Sequence, residues 1–371
     1  GVNIQGNGHT YTLDYTGSEA AFADYMSENT TTGTDISSSI NNFNIRRLNG
    51  DSSKAPGYGS TIRIENRTSG KQTELNLHGS TIYNDANRTY YAYYRYGSVD
   101  GGYYHGDVDD ASGFDNNASP GDYLPYVKNI TCYFPSGWAT VEYADNSSFT
   151  SLAGTYTVNV YGRLSNSYVY SRGRFAANAG NSNAELLNCN VDHHPSVNNG
   201  AAARGFMKFS NCTIRSTNSP GINTYGNANC EMTNNYVYSQ YRHAMQQYTN
   251  YSSGKHVISG NTFVSDASYP TVYLRGAPTN DFIFSNNTIF GQADSSDAHG
   301  ISITAQGSHD TYIVNNTIKV FNNNAYCIYG ASSDTAFLAG NIYEFAKVPV
   351  HPNITQSFTN VPDEQGNIHV T

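Results

Sequence analysis

Positive charge is in short supply in this chain: Lys and Arg together number 20 against 29 Asp and Glu, a formal net charge of −9. A partner that is nucleic acid or an anionic membrane surface calls for a basic field to offset phosphate repulsion, so the balance argues against both. Cysteine is sparse too. Cys132, Cys189, Cys212, Cys230 and Cys327 are an odd number, with no CxxC pair and no ligand-like His spacing nearby, which speaks against a structural zinc site. No apolar run approaches the length needed to span a bilayer, and no signal peptide is visible from Gly1, as expected of a mature or excised chain. A 3.6-residue hydrophobic period is missing as well, which excludes helical repeats.

What is present is sheet and turn material. Charged residues make up only 13% of the chain, while Tyr numbers 32, Gly 34, and Asn, Ser and Thr are abundant. Disordered segments lack aromatic and β-branched residues, so this polar chain is not read as disordered. Its 371 residues would ordinarily divide into two or three domains, but solenoids grow by adding coils and escape that expectation.

A short phrase recurs along the second half: LLNCNV from Leu186, FSNCTI from Phe209, MTNNYV from Met232, ISGNTF from Ile258, FSNNTI from Phe284, IVNNTI from Ile313 and LAGNIY from Leu338. The residue after its first Asn or Gly falls at Cys189, Cys212, Asn235, Asn261, Asn287, Asn316 and Asn341, with successive differences of 23, 23, 26, 26, 29 and 25. Each difference is one coil. Fainter echoes at Ser167, Asn129, Gly102 and Ser80 carry the register upstream. In the coil from Asn211, alternating runs at Cys212 to Thr217, Gly221 to Tyr225 and Cys230 to Thr233 read as three parallel strands joined by turns.

The expected fold is therefore all-β, a single-stranded right-handed parallel β-helix of about eleven or twelve coils. Asn at the recurring turn position can bond to the amides above and below and tolerates the left-handed backbone of a tight corner, so a stacked Asn ladder is expected. Cys189 and Cys212 should stack in the interior and read mainly as core residues, with a disulfide or a reactive thiol as the alternative. Sequons at Asn211, Asn286 and Asn315 fall on the ladder and read as corner chemistry or as glycan acceptors.

The β-helix is expected over 1–345, with a capping or loop excursion at 14–35 and a Tyr- and Asp-rich insertion near 85–126 whose part from Tyr90 to Tyr126 breaks the repeat as projecting loops. The tail 346–371, with Pro349, Pro352 and Pro362, reads as a C-terminal cap or docking strand that would serve oligomerisation, with a homotrimer as the expected assembly.

The opening run from Val2 to Tyr11 (VNIQGNGHTY) resembles the first strand of pectin-lyase-like β-helix proteins, where a Gly-Asn-Gly turn precedes the first coil. The resemblance implies the same fold and an extracellular protein acting on polysaccharide, since such β-helices occur in secreted bacterial enzymes and phage tailspikes. A second stretch, Ala293 to Ile303, resembles the segment of polygalacturonases that carries Asn-Thr-Asp-Gly. His299 stands at the position of that Asp, and Ala325-Tyr326-Cys327-Ile328 stands where its paired Asp would be, so the likeness is one of coil grammar. The Lys/Arg pattern of alginate-lyase-type β-helices and the Asp-Pro-His signature of mannuronan epimerases are not cleanly present, and Asp192-His193-His194-Pro195 is a loose echo of the latter.

Because a β-helix core is filled, chemistry has to sit on outward positions. Alternation places the fourth residue after each ladder position outward: Tyr170, Asp192, Arg215, Tyr238, Val264, Phe290 and Lys319. The sixth gives Arg172, His194, Thr217, Gln240 and Asp266. Asp192, His194, Arg215 and Tyr238 are the candidate catalytic group, with Tyr170 and Arg172 beside them for substrate. Arg can neutralise a uronate carboxylate and acidify the adjacent C–H, while His or Tyr moves a proton, which suits β-elimination or C5 epimerisation. An ordinary cross-strand ion pair is the alternative.

A second candidate stripe runs along the middle strand: Arg204, Tyr225, Arg275 and Tyr329, with Tyr273 and Tyr248 nearby. Aromatic faces stack on sugar rings and Arg bonds hydroxyls or carboxylates, although Tyr is favoured on any exposed β-surface. Asp107, Asp109, Asp110 and Asp115 would suit Ca2+ or a pair of hydrolytic carboxylates, or form a solvated loop; no cofactor is otherwise implied.

The function expected is an extracellular polysaccharide-binding β-helix, secreted, cell-surface or virion-borne, that depolymerises an acidic or capsular glycan, with lyase-type elimination favoured over hydrolysis. A non-catalytic adhesin or phage receptor-binding fibre is the alternative, and a structural spacer a third.

Overall fold

A computed structural model of the protein describes residues 3–14, 22–25, 36–48, 60–65, 73–84, 88–93, 96–106, 112–116, 126–197, 200–225, 229–248, 254–275, 280–304, 311–330, 334–344 and 348–356. The chain divides into two compact units, Gly1–Asn181 and Ser182–Thr371. Among the described residues there are strands and turns but no helix, and strands pair parallel from coil to coil, which is the expected right-handed parallel β-helix.

In the second unit each coil carries three strands. The first-strand column runs through Asn190–His193, Thr213–Ser216, Tyr236–Ser239, Thr262–Ser265, Thr288–Gly291, Thr317–Val320 and Ile342–Glu344. Its inward positions Val191, Ile214, Val237, Phe263, Ile289 and Ile318 are fully buried, each worth about 1.5–3 kcal/mol of transfer free energy. The second-strand column comprises Ala201–Arg204, Ile222–Asn223, Met245–Tyr248, Val272–Arg275, Ile301–Ile303 and Ile328–Gly330, and buries Ile222, Met245, Val272, Ile301 and Ile328. The third adds Leu186, Phe209, Met232, Ile258, Phe284 and Ile313 to the same core.

The corner before the first strand does its two jobs at two adjacent positions and not, as expected, at one. Asn188, Asn211, Asn234, Asn286 and Asn315 take the left-handed backbone, with φ between 53° and 55°. The buried residue that follows makes the ladder: the Asn235 backbone N–H and Nδ2 both donate to Asn261 Oδ1, at 2.9 and 2.8 Å. Asn261 bonds to Asn287 in the same way, Asn287 to Asn316, and Asn316 to Asn341. Cys189 and Cys212 occupy the same interior position as buried cysteines, and the Cys189 N–H donates to Cys212 Sγ at 3.5 Å.

The first unit stacks Thr10–Asp14, Asn44–Leu48, the end of Thr73–Asn84, Tyr96–Gly106, Tyr126–Phe134, Ser148–Ser151 and Tyr168–Ser171 in its first-strand column. The faint upstream echoes are in register, with Ser80 opposite Gly102 and Gly102 opposite Ile130.

Among the described residues that column holds seven strands in each unit, which departs from the coil number expected. The reason is local: Thr73–Asn84 and Tyr96–Gly106 pass the corner inside one strand, so the repeated phrase thins to Gly-Ser and Gly-Gly. Within the Tyr-rich stretch expected to loop out, Tyr96–Gly106 pairs with Tyr126–Phe134, and Ser112–Asn116 pairs with Arg88–Tyr93. Phe22–Tyr25, expected in an excursion, pairs with Ser60–Glu65, and Ile354–Gln356 of the tail pairs with Asp334–Ala339.

Candidate functional site

The outward column predicted on the first strand is in register: Asp192 lies opposite Arg215, Arg215 opposite Tyr238, and Tyr238 opposite Val264. Phe290 and Lys319 continue it, and Lys319 Nζ reaches Glu344 at 3.2 Å. Arg215 is exposed, Asp192 and Tyr238 are half-buried, and His194 is exposed just past the end of Asn190–His193. Val264 is only 5% exposed, so the column is not open to solvent along its whole length.

The Tyr238 hydroxyl donates to Asp266 Oδ2 at 2.6 Å. Burial first, and then the hydrogen bond to Asp266, push its pKa up to about 12. Removing that proton would place a phenolate beside a carboxylate, so Tyr238 holds its proton and is not suited to abstracting one.

The middle-strand stripe resolves into two neighbouring columns. One is Arg204, Asn223, Gln246, Tyr273, Ser302 and Tyr329. The other, two residues further along the strand, holds Tyr225 and then the pair Tyr248 and Arg275, whose side chains lie outside the described residues. The Arg204 guanidinium sits 4.4 Å above the Tyr225 ring, so one face of that ring is taken by a cation.

At the entrance to the second strand, sequence reasoning missed a cluster of rings. His243 stacks on Tyr273 with centroids 4.8 Å apart, and His299 stacks on Tyr329 at 4.2 Å. Tyr269 packs edge-on against His243 with Arg242 over its ring, while Tyr326 and His351 complete the group around Tyr329. His243 and His299 are each 6% exposed, and burial lowers the pKa of both to about 4. His243 and Tyr273 cover one face of each other, as do His299 and Tyr329, and Arg242 covers one face of Tyr269, so these rings are only partly open as aromatic faces. Gly300 lets the chain pass: a Cβ there would meet Ile318 Cγ2 at 2.4 Å and the Cys327 carbonyl oxygen at 2.6 Å.

Tyr170 and Arg172 belong to the first unit, where Arg172 Nε donates to the Tyr170 hydroxyl at 3.2 Å. Tyr170 is one member of an outward column through Arg46, Tyr83, His105, Tyr133 and Thr150. Its rings also cover one another, with Tyr83 and His105 at 4.7 Å and His105 and Tyr133 at 5.1 Å.

Among the described residues, no group of three or more His, Cys, Asp or Glu is arranged to hold a metal ion. Asp107, Asp109 and Asp110 lie outside the described residues, as does the side chain of Asp115. No helix among the described residues is long and apolar enough to cross a membrane.

No protein-family model matches the chain, and no curated protein sequence matches it. Among solved structures the chain is similar to the A-module of a mannuronan C-5 epimerase from Azotobacter vinelandii, at 14% identity and a TM-score of 0.39, over 88% of this chain and 92% of that one.

Proposed function

We propose that the protein is an extracellular polysaccharide-binding β-helix whose second unit grips a linear glycan along the second-strand column. One observation carries the reading: two ring groups, His243 with Tyr269 and Tyr273 and His299 with Tyr326, Tyr329 and His351, recur at the second-strand entrance two rungs apart, bearing imidazole and phenol groups and few charges. A regular polymer of hydroxyl-bearing rings complements a row of donors and acceptors repeating at the strand spacing. The net charge of −9 disfavours a polyphosphate in the same place. The test exposes the full chain to immobilised alginate, polygalacturonate, hyaluronan and dextran. Saturable binding to at least one is expected, and binding to none would defeat the reading.

A second reading adds catalysis, and the shared register of Asp192, Arg215 and Tyr238 favours it. Arg215 would neutralise the carboxylate of an acidic glycan, His194 would take the C5 proton, and Tyr238 would give a proton to the departing glycosidic oxygen in a β-elimination. If this is so, ultraviolet absorbance from unsaturated sugar ends grows with time on a uronate polymer. Arg215→Ala then abolishes that growth with little change in melting temperature, because exposed cross-strand charges contribute little to stability. Equal turnover in the variant would remove the site.

A further inference from the structure

Within the second-strand cluster, His243 and His299 share one column two rungs apart. Each lies two residues before the inward residue of its strand, Met245 and Ile301, and those two are linked in register through Val272. Each imidazole stacks on the tyrosine of the following rung, at interplanar angles of 22° and 14°. The pairs are repeats of one arrangement.

The two rings differ in their backbone partner. His243 Nδ1 faces the Pro270 carbonyl oxygen at 2.6 Å, whereas His299 Nδ1 faces the Tyr326 N–H at 3.1 Å. A carbonyl only accepts, so His243 carries its proton on Nδ1 and keeps a lone pair on Nε2. An amide N–H only donates, so His299 keeps its lone pair on Nδ1 and carries its proton on Nε2. Burial holds both imidazoles neutral at neutral pH, which preserves the distinction. Neither Nε2 has a hydrogen-bond partner among the described residues, and neither atom is sealed from solvent.

We propose that His243 and His299 form an acceptor–donor pair that reads one disaccharide repeat of a glycan lying along the second-strand column. The Nε2 lone pair of His243 accepts a sugar hydroxyl, and the Nε2–H of His299 donates to an oxygen of the sugar one repeat further on. Two rungs span roughly 10 Å, close to one disaccharide of an extended chain. Since neither ring is charged, the pair recognises hydroxyl pattern and not charge, and its contribution should be insensitive to salt. The inference rests on the glycan-binding reading above.

Two measurements test it on the full chain. Long-range proton–nitrogen correlation of histidine-labelled protein at neutral pH should show Nδ1–H for His243 and Nε2–H for His299; a shared tautomer, or two protonated nitrogens on either ring, overturns the pair. Alginate and hyaluronan oligosaccharides, from disaccharide to octasaccharide, should then gain affinity in disaccharide steps. His243→Phe and His299→Phe, which keep the ring stack and lose its edge, should each bind about tenfold more weakly. If the native chain binds none of these oligosaccharides or the polysaccharides above, the glycan reading fails and the pair with it. If it binds and both variants bind as tightly, the pair alone is overturned. Should the variants not fold, the Nε2 resonances of the native protein are expected to move on saturation with the best oligosaccharide, and unmoved resonances overturn the pair.

Discussion

The two units turn the same corner with different chemistry. In the second, buried Asn235, Asn261, Asn287 and Asn316 each pass two hydrogen bonds to the next rung, from backbone N–H and from Nδ2. In the first, the equivalent interior position holds Ser147 and Ser167: Ile130 N–H donates to Ser147 Oγ at 3.3 Å and Ser147 N–H to Ser167 Oγ at 3.1 Å. A hydroxyl takes one amide and hands its own proton to a carbonyl of its own coil, Asp145 or Ser165. An Asn amide satisfies the corner and ties two coils together at once, so the second unit is the more strongly cross-linked.

The units also store their ionisable groups differently. Asp100 and Asp145 of the first unit hold their carboxyls below the usual range, chiefly through side-chain hydrogen bonds from Asn129 and Ser165 respectively. The second unit buries His243, His256 and His299 with pKa values lowered from 6.5 to about 4.

Acid should separate the units most. Between pH 6.5 and 4 the unfolded second unit binds protons that the folded one refuses, so its stability is complete above pH 6.5, falls toward pH 4 and levels off below. Each histidine contributes up to about 3 kcal/mol over that window. The first unit's carboxylates act in the opposite sense of charge and later: their contribution is present above about pH 3.8 and is lost only as pH drops below it. Hydrogen exchange, corrected for intrinsic rates, should show opening in peptides from 182–356 at pH 4.5 while those from 126–181 stay protected; simultaneous opening contradicts this.

The next largest effect is expected from Asn287→Leu. It removes the acceptor of two Asn261 donors and the donor to Asn316, at a cost of about 4 kcal/mol read from the urea midpoint. Ser147→Ala should be the mildest, about 1 kcal/mol, because a single backbone amide loses its acceptor. Equal costs for the two variants would erase the distinction between the corners.

Legibility in the sequence followed loop length. From the corner residue to the outward position of the first strand the offset is always four, as in Asn188 to Asp192, Asn211 to Arg215 and Asn234 to Tyr238, so counting alone recovered that column. The second-strand entrance has no such constancy: His243 follows Asn234 by 9, Pro270 follows Gly260 by 10, His299 follows Asn286 by 13 and Tyr326 follows Asn315 by 11. Variable turns scrambled the phase, and the ring cluster stayed hidden. The recoverable signal was local: each of these residues stands two before an inward Met245, Val272, Ile301 or Ile328. Tautomers, and the covering of ring faces, depend on backbone partners across coils that no single-chain pattern carries.

The Asn row has a direction. Every Oδ1 from Asn235 to Asn341 takes its proton from the coil before it, and Cys212 N–H supplies the first. Five side-chain amides thus lie head to tail, polarising one another as peptide units do along a helix. The row is a small electret inside the core, its negative pole at the Cys212 rung and its positive pole at the Asn341 rung, so an anion brought near the far end would be felt several coils away.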